Sequence, residues 1–204
     1  MNMSISLQKG QKISLVKENE NLSNITVGLG WDEVRREKKA KKGLFAAILG
    51  DNGQIDCDAS VIMLKDGKLN DFSKDIIYFG NLKYQSGAIK HAGDNRTGKG
   101  DGDDEQILVN LSKVPGDYDR LVFVVNIYRA KERSQNFGMI ENAFIRVVDN
   151  HGKEICRYNL TDDYSECTAM VFAEIYRRNG EWKFNAIGQG TVDNTILELA
   201  KRYN

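Results

Sequence analysis

Histidine and cysteine are scarce in this sequence of 204 residues, and both shortages narrow the chemistry that the chain can perform. The three cysteines, Cys57, Cys156 and Cys167, are odd in number and lack the spacing of a metal site, so we expect free thiols in a reducing compartment. His91 and His151 are the only imidazoles. A zinc or copper site, or a serine-histidine-aspartate triad, therefore has little material here.

Net charge and long apolar runs are also missing. The 29 basic side chains balance 29 acidic ones, which argues against a surface built to neutralise nucleic-acid phosphates, so we expect no nucleic-acid partner. The longest uncharged apolar run, Leu44–Leu49, is too short to cross a bilayer, and the N-terminus has no signal-peptide pattern. These absences predict a cytoplasmic protein.

Proline is nearly absent as well, whereas nineteen glycines suit a fold with many tight turns. Strand-length runs of Val, Ile, Phe and Tyr are separated by turn signals such as Asp66-Gly67 and Asn179-Gly180. Long amphipathic helices are missing, which excludes a doubly wound α/β fold. We therefore predict one all-β domain over residues 1–204, a two-sheet antiparallel β-sandwich with short peripheral helical segments. The predicted strands are Ile25–Leu29, Ala59–Leu64, Ile76–Phe79, Ile107–Leu111, Leu121–Tyr128, Ala143–Val148, Ile155–Leu160, Ala169–Tyr176 and Trp182–Ile187, and a short helix is predicted within Asp193–Arg202.

A basic and apolar insertion at about residues 35–50 interrupts the strand pattern. Its basic part, Arg35–Lys42, runs directly into the apolar run that begins at Gly43. One interpretation is a solvated loop whose apolar end packs on the sandwich. The other is contact with an anionic membrane surface or an acidic partner, since basic residues near such a surface contribute about 1 kcal/mol each. The residues that would make this contact are Lys38, Lys39, Lys41, Lys42, Leu44 and Phe45.

The second interruption, His91–Glu105, is rich in acids and glycine and has no hydrophobic periodicity. Its like charges repel at close range, so a folded loop of this kind needs a counter-ion. Ca²⁺ takes about six to eight oxygen ligands, whereas Mg²⁺ keeps its waters and uses one or two carboxylates. The loop therefore favours calcium, through Asp94, Asn95, Asp101, Asp103, Asp104 and Glu105.

Further acids occur where strands begin or end. Asp56 and Asp58 are two residues apart, so both carboxylates point to the same face of a strand. Asp32 follows Gly28-Leu29-Gly30-Trp31 at a strand end. These acids are either further metal ligands or solvated turn residues, and for Asp32 both interpretations stay open.

An enzymatic alternative remains at the same loop. A metal held there would act as a Lewis acid on a phosphorylated small molecule, with His91, Arg96 and Lys99 as the neighbouring candidates for catalysis. A surface or capping role is the simpler interpretation of His91. An EF-hand is excluded, because Gln106 stands where its glycine should be and Ser112 where its glutamate should be.

The motifs at these positions resemble the TerD family of tellurium-resistance and stress proteins. The resemblance rests on LQKGQKISL near the start, VGLGWD at Val27–Asp32, DCDAS at Asp56–Ser60 and HAGDNRTGKGDGDDEQILVNL at His91–Leu111. The basic insertion followed by Gly-Leu-Phe is similar to the TerZ-like branch. Cys57 and Asn159 depart from the family pattern, and Asn159 removes one carboxylate.

The resemblance implies a β-sandwich that binds two calcium ions, without an established catalytic activity, and acts in resistance to tellurite and other stresses. It also implies TerB-like and membrane TerC-like partners, and hence a peripheral position at the inner membrane face. Carried over to this sequence, the metal positions are Asp32, Asp56, Asp58, Asp94, Asn95, Asp101, Asp103, Asp104 and Glu105.

Overall fold

The computed structural model describes residues 4–15, 22–34, 55–93 and 102–204. In this part of the chain, twelve strands form two packed sheets, and two short α-helices accompany them. This confirms the predicted β-sandwich with peripheral helical segments. The strands are β1 (Ile5–Leu7), β2 (Lys12–Ser14), β3 (Asn24–Glu33), β4 (Cys57–Leu64), β5 (Ile76–Ile77), β6 (Ile89–His91), β7 (Glu105–Asn110), β8 (Arg120–Ile127), β9 (Ile140–Asp149), β10 (Glu154–Asn159), β11 (Ala169–Arg178) and β12 (Glu181–Thr191). The helices are α1 (Ala130–Arg133) and α2 (Ile196–Ala200), with 3-10 turns at Leu111–Lys113, Phe137–Met139 and Lys201–Tyr203.

Each sheet contains six strands. The first has the order β1-β10-β9-β3-β7-β6, and the second has the order β2-β12-β11-β8-β4-β5. The predicted antiparallel pairing holds except between β1 and β10, which are parallel. The prediction was wrong there because β1 joins the sheet through a partner far along the chain, and such pairing leaves no signal in local sequence.

The burial of side chains follows the two-residue period of the strands. In β7, Ile107 and Val109 are buried in the core while Gln106 and Leu108 are exposed. Strand β4 is buried along its whole length, and on its outer face Ile62 and Leu64 pack in a cluster with residues of α2. Alternate residues of β4 therefore face the core between the sheets or the outer face of the second sheet.

The turn signals of the sequence are confirmed by backbone angles. Asn179 and Gly180 have φ values of 56° and 79°, and Asp66 and Gly67 have 52° and 76°, as type I′ hairpin turns require. The predicted C-terminal helix is shorter than Asp193–Arg202, because Thr195 caps its start by accepting from Glu198 N. Strands β1, β2 and β6 escaped prediction since three residues are too few to establish a period.

Among the described residues, no helix is long and apolar enough to span a membrane.

Candidate metal centre

The acidic loop connects β6 to β7, and its C-terminal end is fixed against the end of β3. Asp104 N donates to Leu29 O at 2.8 Å, and Trp31 N donates to Asp104 Oδ2 at 2.7 Å. These two bonds continue the pairing of β7 with β3, whose last matched pair is Leu29 with Glu105. The loop therefore ends at a defined position on the first sheet.

Two glycines of β3 allow this approach. A Cβ atom at Gly28 would lie 2.2 Å from the Asp103 carboxylate, and one at Gly30 would lie 2.4 Å from the Phe144 ring and 2.9 Å from Gly102 O. A larger residue at either position would displace the loop. The Gly-Leu-Gly sequence in β3 is thus required for close packing.

Asp103 is held by an ion pair in this structure. Arg146 Nε donates to Asp103 Oδ1 at 2.7 Å, Arg146 Nη2 donates to Oδ2 at 3.1 Å, and Gln106 Nε2 also donates to Oδ2. The Asp103 side chain is only 1% exposed. The sequence does not identify Arg146 as a site residue. The alternation of side chains along a strand shows only that Arg146 faces out of the core, and it does not reveal the partner.

Asp104 is buried among other negative charges. Burial raises the pKa of its carboxyl group, the hydrogen bond from Trp31 opposes the shift, and the charges of Asp32 and Asp103 raise the pKa further. Asp32 itself is exposed at the end of β3 and accepts a hydrogen bond from Asn142 Nδ2 at 2.9 Å. Asp104 and Asp32 are thus close enough to repel.

Glu105 and His91 connect the two sheets. Ala59 N, on the β4 edge, donates to Glu105 Oε2 at 2.7 Å, while His91 Nε2 lies 3.1 Å from Ala59 O and 3.3 Å from Glu105 Oε2. The two side chains occupy the hydrogen-bonding groups that a further strand would use. His91 is 2% exposed, so of the two roles expected for it, at the surface or as a cap, the surface role is wrong.

The hydrogen bonds of His91 assign its tautomer. Gly93 N donates to His91 Nδ1 at 3.1 Å, so that nitrogen carries no hydrogen and Nε2 is the donor to Ala59 O. Burial lowers the pKa of His91, but the hydrogen bond and charge of Glu105 outweigh it and raise the pKa above its ordinary value. Gly93 is the last described residue before the loop, and His91 therefore anchors the loop's N-terminal end.

Asp56 and Asp58 lie at the start of β4, beside this connection. Asp56 is half-buried and Asp58 is 6% exposed. Burial raises the pKa of the Cys57 thiol, and the charges of Asp58, Asp56, Glu105 and Asp104 raise it further. Four predicted ligands therefore act electrostatically on a single buried side chain.

The remaining predicted residues lie outside the described ranges. These are the ligand candidates Asp94, Asn95 and Asp101, and the contact candidates Lys38, Lys39, Lys41, Lys42, Leu44 and Phe45. Within the described ranges alone, no three His, Cys, Asp or Glu side chains converge on one metal position. Three of the described acids, Asp58, Asp104 and Glu105, are nevertheless buried, and their oxygen donors fit a hard cation if residues 94–101 supply further ligands.

The class of protein is defined by a β-sandwich in which buried polar side chains, His91, Asp104 and Glu105, flank an acidic, glycine-rich stretch of sequence. The TerD domain profile matches residues 3–203, and the chain belongs to the TerD domain family. Its relatives include stress response protein SCP2 of Bacillus subtilis (strain 168), which is 54% identical over 98% of this chain and 100% of its own length. Tellurium resistance protein TerD of Serratia marcescens is 46% identical over 92% of this chain and 91% of its own length. Tellurium resistance protein TerZ of the same species is 46% identical over 96% and 94%.

Solved structures support the fold. A homologue of telluride resistance protein (TerD) from Streptomyces coelicolor A3(2) superposes with a TM-score of 0.63 at 18% identity, covering 90% of this chain and 99% of that one. A protein of unknown function superposes with a TM-score of 0.64 at 21% identity, covering 88% and 95%. At these identities the likeness concerns architecture alone.

Proposed function

We propose that this chain is a calcium-binding, non-catalytic module of tellurite resistance and the general stress response. The assignment to tellurite and stress rests on family membership and on the names of the relatives. The observation that carries the calcium proposal is the burial of three acids, Asp58, Asp104 and Glu105, which are only 6%, 7% and 2% exposed.

The electrostatics of this group favour a bound cation. Burying carboxylates together is costly, because each loses hydration and repels its neighbours. Asp104 illustrates both costs, since burial and the charges of Asp32 and Asp103 raise its pKa. A divalent cation would neutralise these charges, and oxygen donors in excess of two favour Ca²⁺ over Mg²⁺.

The residues that would hold calcium come from separate parts of the chain. Asp104 and Glu105 precede and begin β7, Asp56 and Asp58 lie at the start of β4, and Asp32 lies at the end of β3. Asp94, Asn95 and Asp101 would add ligands from the loop. Asp103 would first have to leave Arg146, so we rank it below the others as a ligand. Two ions are proposed.

We extend the proposal to a scaffold or adaptor role in a membrane-associated complex with TerB-like and TerC-like partners. The basic segment with Lys38, Lys39, Lys41 and Lys42 supports this part, as residues suited to an anionic surface. No observation in the described ranges favours the metal-dependent enzyme instead. His91, its candidate base, is buried and has both ring nitrogens in hydrogen bonds.

Thermal melting tests the calcium proposal. At 100 times its dissociation constant, calcium should add about 2.7 kcal/mol of stability for one site. For a domain of this size, each 1 kcal/mol shifts the midpoint by about 2–4 °C. We expect the melting temperature to rise by several degrees in calcium over chelator, and by less in magnesium. Superimposable curves in calcium and chelator would refute calcium binding.

A further inference from the structure

Three polar side chains are buried together on the outer face of the second sheet. Asp58 and Ser60 of β4 are two residues apart and point to the same face, and Asn126 of β8 lies directly opposite Asp58. Directly opposed residues of antiparallel strands place their Cβ atoms about 5 Å apart. The three side chains, which we call the outer-face trio, are 6%, 1% and 5% exposed in that order.

Two oxygens of the outer-face trio have no hydrogen-bond partner among the described residues. They are Ser60 Oγ and Asn126 Oδ1, and both atoms are removed from solvent. Buried polar side chains nearly always have a partner, so an exception of this kind calls for a bound species. Towards α2 this outer face is apolar, with Ile62 and Val124 in the cluster under that helix. A second polar group on the same face, Glu174 with Arg120 and Asn185, is held by its own ion pair and hydrogen bond.

We infer that Ser60 Oγ and Asn126 Oδ1 are neutral ligands of the calcium ion that binds at Asp58. The inference rests on the proposed calcium function and deepens it, because it adds two residues of β4 and β8 to the acids already considered. Ca²⁺ in proteins combines carboxylates with neutral oxygen donors such as amide carbonyls and waters. The Asn126 amide oxygen is a donor of this kind, and the Ser60 hydroxyl would take the place of a water. Neutral donors complete a coordination shell without adding further repulsion beside Asp56.

A trapped water molecule is the alternative, since it would also occupy both oxygens. The two possibilities predict different effects of replacing the amide by an apolar group of similar size. If Asn126 ligates calcium, Asn126→Leu should lower calcium affinity. If Asn126 only holds a water molecule, the same change should leave calcium affinity unaltered.

The experiment is a calorimetric titration of the full chain with calcium, combined with melting in chelator. We expect Asn126→Leu to weaken calcium binding at one site at least tenfold while melting in chelator at or above the wild-type temperature. Ser60→Ala should weaken binding at the same site by a smaller factor. Asn126→Asp should melt lower than wild type in chelator, because it opposes Asp58, and calcium should restore its stability.

Asn185 provides the matched control. Its Oδ1 is also buried without a partner among the described residues, but it lies on β12 opposite Glu174, and two strands, β11 and β8, separate β12 from β4. Asn185→Leu should leave calcium affinity unchanged. Wild-type calcium affinity in Asn126→Leu would overturn the inference while leaving the calcium function intact. No calcium binding by the wild type would overturn both.

Discussion

Two carboxylates in this molecule are almost equally buried but have opposite surroundings. Asp75, just before β5, is 2% exposed and accepts hydrogen bonds from Tyr118 Oη at 2.5 Å and from Asp71 N at 3.1 Å. Asp104, just before β7, is 7% exposed, and its Oδ2 accepts from Trp31 N at 2.7 Å. Donors surround Asp75, whereas further acids surround Asp104.

The difference separates a structural carboxylate from a candidate ligand. Around Asp75 the cost of burial is offset locally, and the phenol that serves it is itself supported by Tyr84, whose hydroxyl lies 3.3 Å from that of Tyr118. Burial and the hydrogen bond to Asp75 raise the pKa of Tyr118, so the phenol remains protonated and keeps donating. Around Asp104, burial and neighbouring acids act in the same direction, and a cation would relieve both.

The largest effect should come from removing the structural carboxylate. Asp75→Ala leaves Tyr118 Oη and Asp71 N without their acceptor, and each lost partner costs about 1–3 kcal/mol. We expect the free energy of unfolding in urea to fall by roughly 3 kcal/mol, equally in calcium and in chelator. Asp66→Asn, in an exposed turn, should change it by less than about 0.5 kcal/mol. If Asp75→Ala lost more free energy of unfolding in calcium than in chelator, Asp75 would not be the purely structural carboxylate that is contrasted with Asp104.

Asp104→Asn should behave in the opposite way, with a free energy of unfolding that differs from wild type in calcium but not in chelator. The amide oxygen can still accept from Trp31 N, while the negative charge beside Asp32 disappears. In chelator we expect the free energy of unfolding to stay within about 0.5 kcal/mol of wild type. In calcium, most of the stabilisation of about 2.7 kcal/mol at that site should be absent. Equal destabilisation of this variant in calcium and in chelator would instead make Asp104 a second structural carboxylate.

The smallest effect on stability is expected in the basic segment. Changing Lys38, Lys39, Lys41 and Lys42 to Ser should abolish sedimentation with anionic-lipid vesicles at low salt and leave calcium affinity unchanged. Wild-type sedimentation should weaken as salt rises, because the screening length is about 8 Å at physiological ionic strength. A control variant removes the same charge from exposed lysines elsewhere, Lys12, Lys68, Lys113 and Lys153. Sedimentation of the segment variant equal to wild type would remove this segment from the account.

Local sequence predicted the features that local physics decides. The run Leu121–Tyr128 predicted β8 almost to the residue, and Asn179-Gly180 predicted the hairpin turn between β11 and β12. The spacing of Asp56 and Asp58 predicted two carboxylates on one face of a strand, and in the structure Asp58 lies in β4 while Asp56 directly precedes it.

Features that depend on non-local pairing could not be predicted in this way. Asn126 is opposite Asp58 only because β8 pairs with β4 in this register, and Arg146 reaches Asp103 only because β9 lies beside β3. The burial of His91 has the same origin, since the β4 edge that it serves is more than thirty residues away along the chain. The sequence therefore indicates which side chains carry reactive or metal-binding groups, but it does not indicate which residues those side chains contact.

The most direct test of the central claim is the number of calcium ions that the full wild-type chain binds in solution. Isothermal titration calorimetry of chelator-treated protein, with calcium and separately with magnesium, measures it. We predict two ions of calcium per chain and weaker binding of magnesium, because the proposed ligands offer more oxygen donors than magnesium uses. No calcium binding would contradict the account, as would magnesium binding as tight as that of calcium.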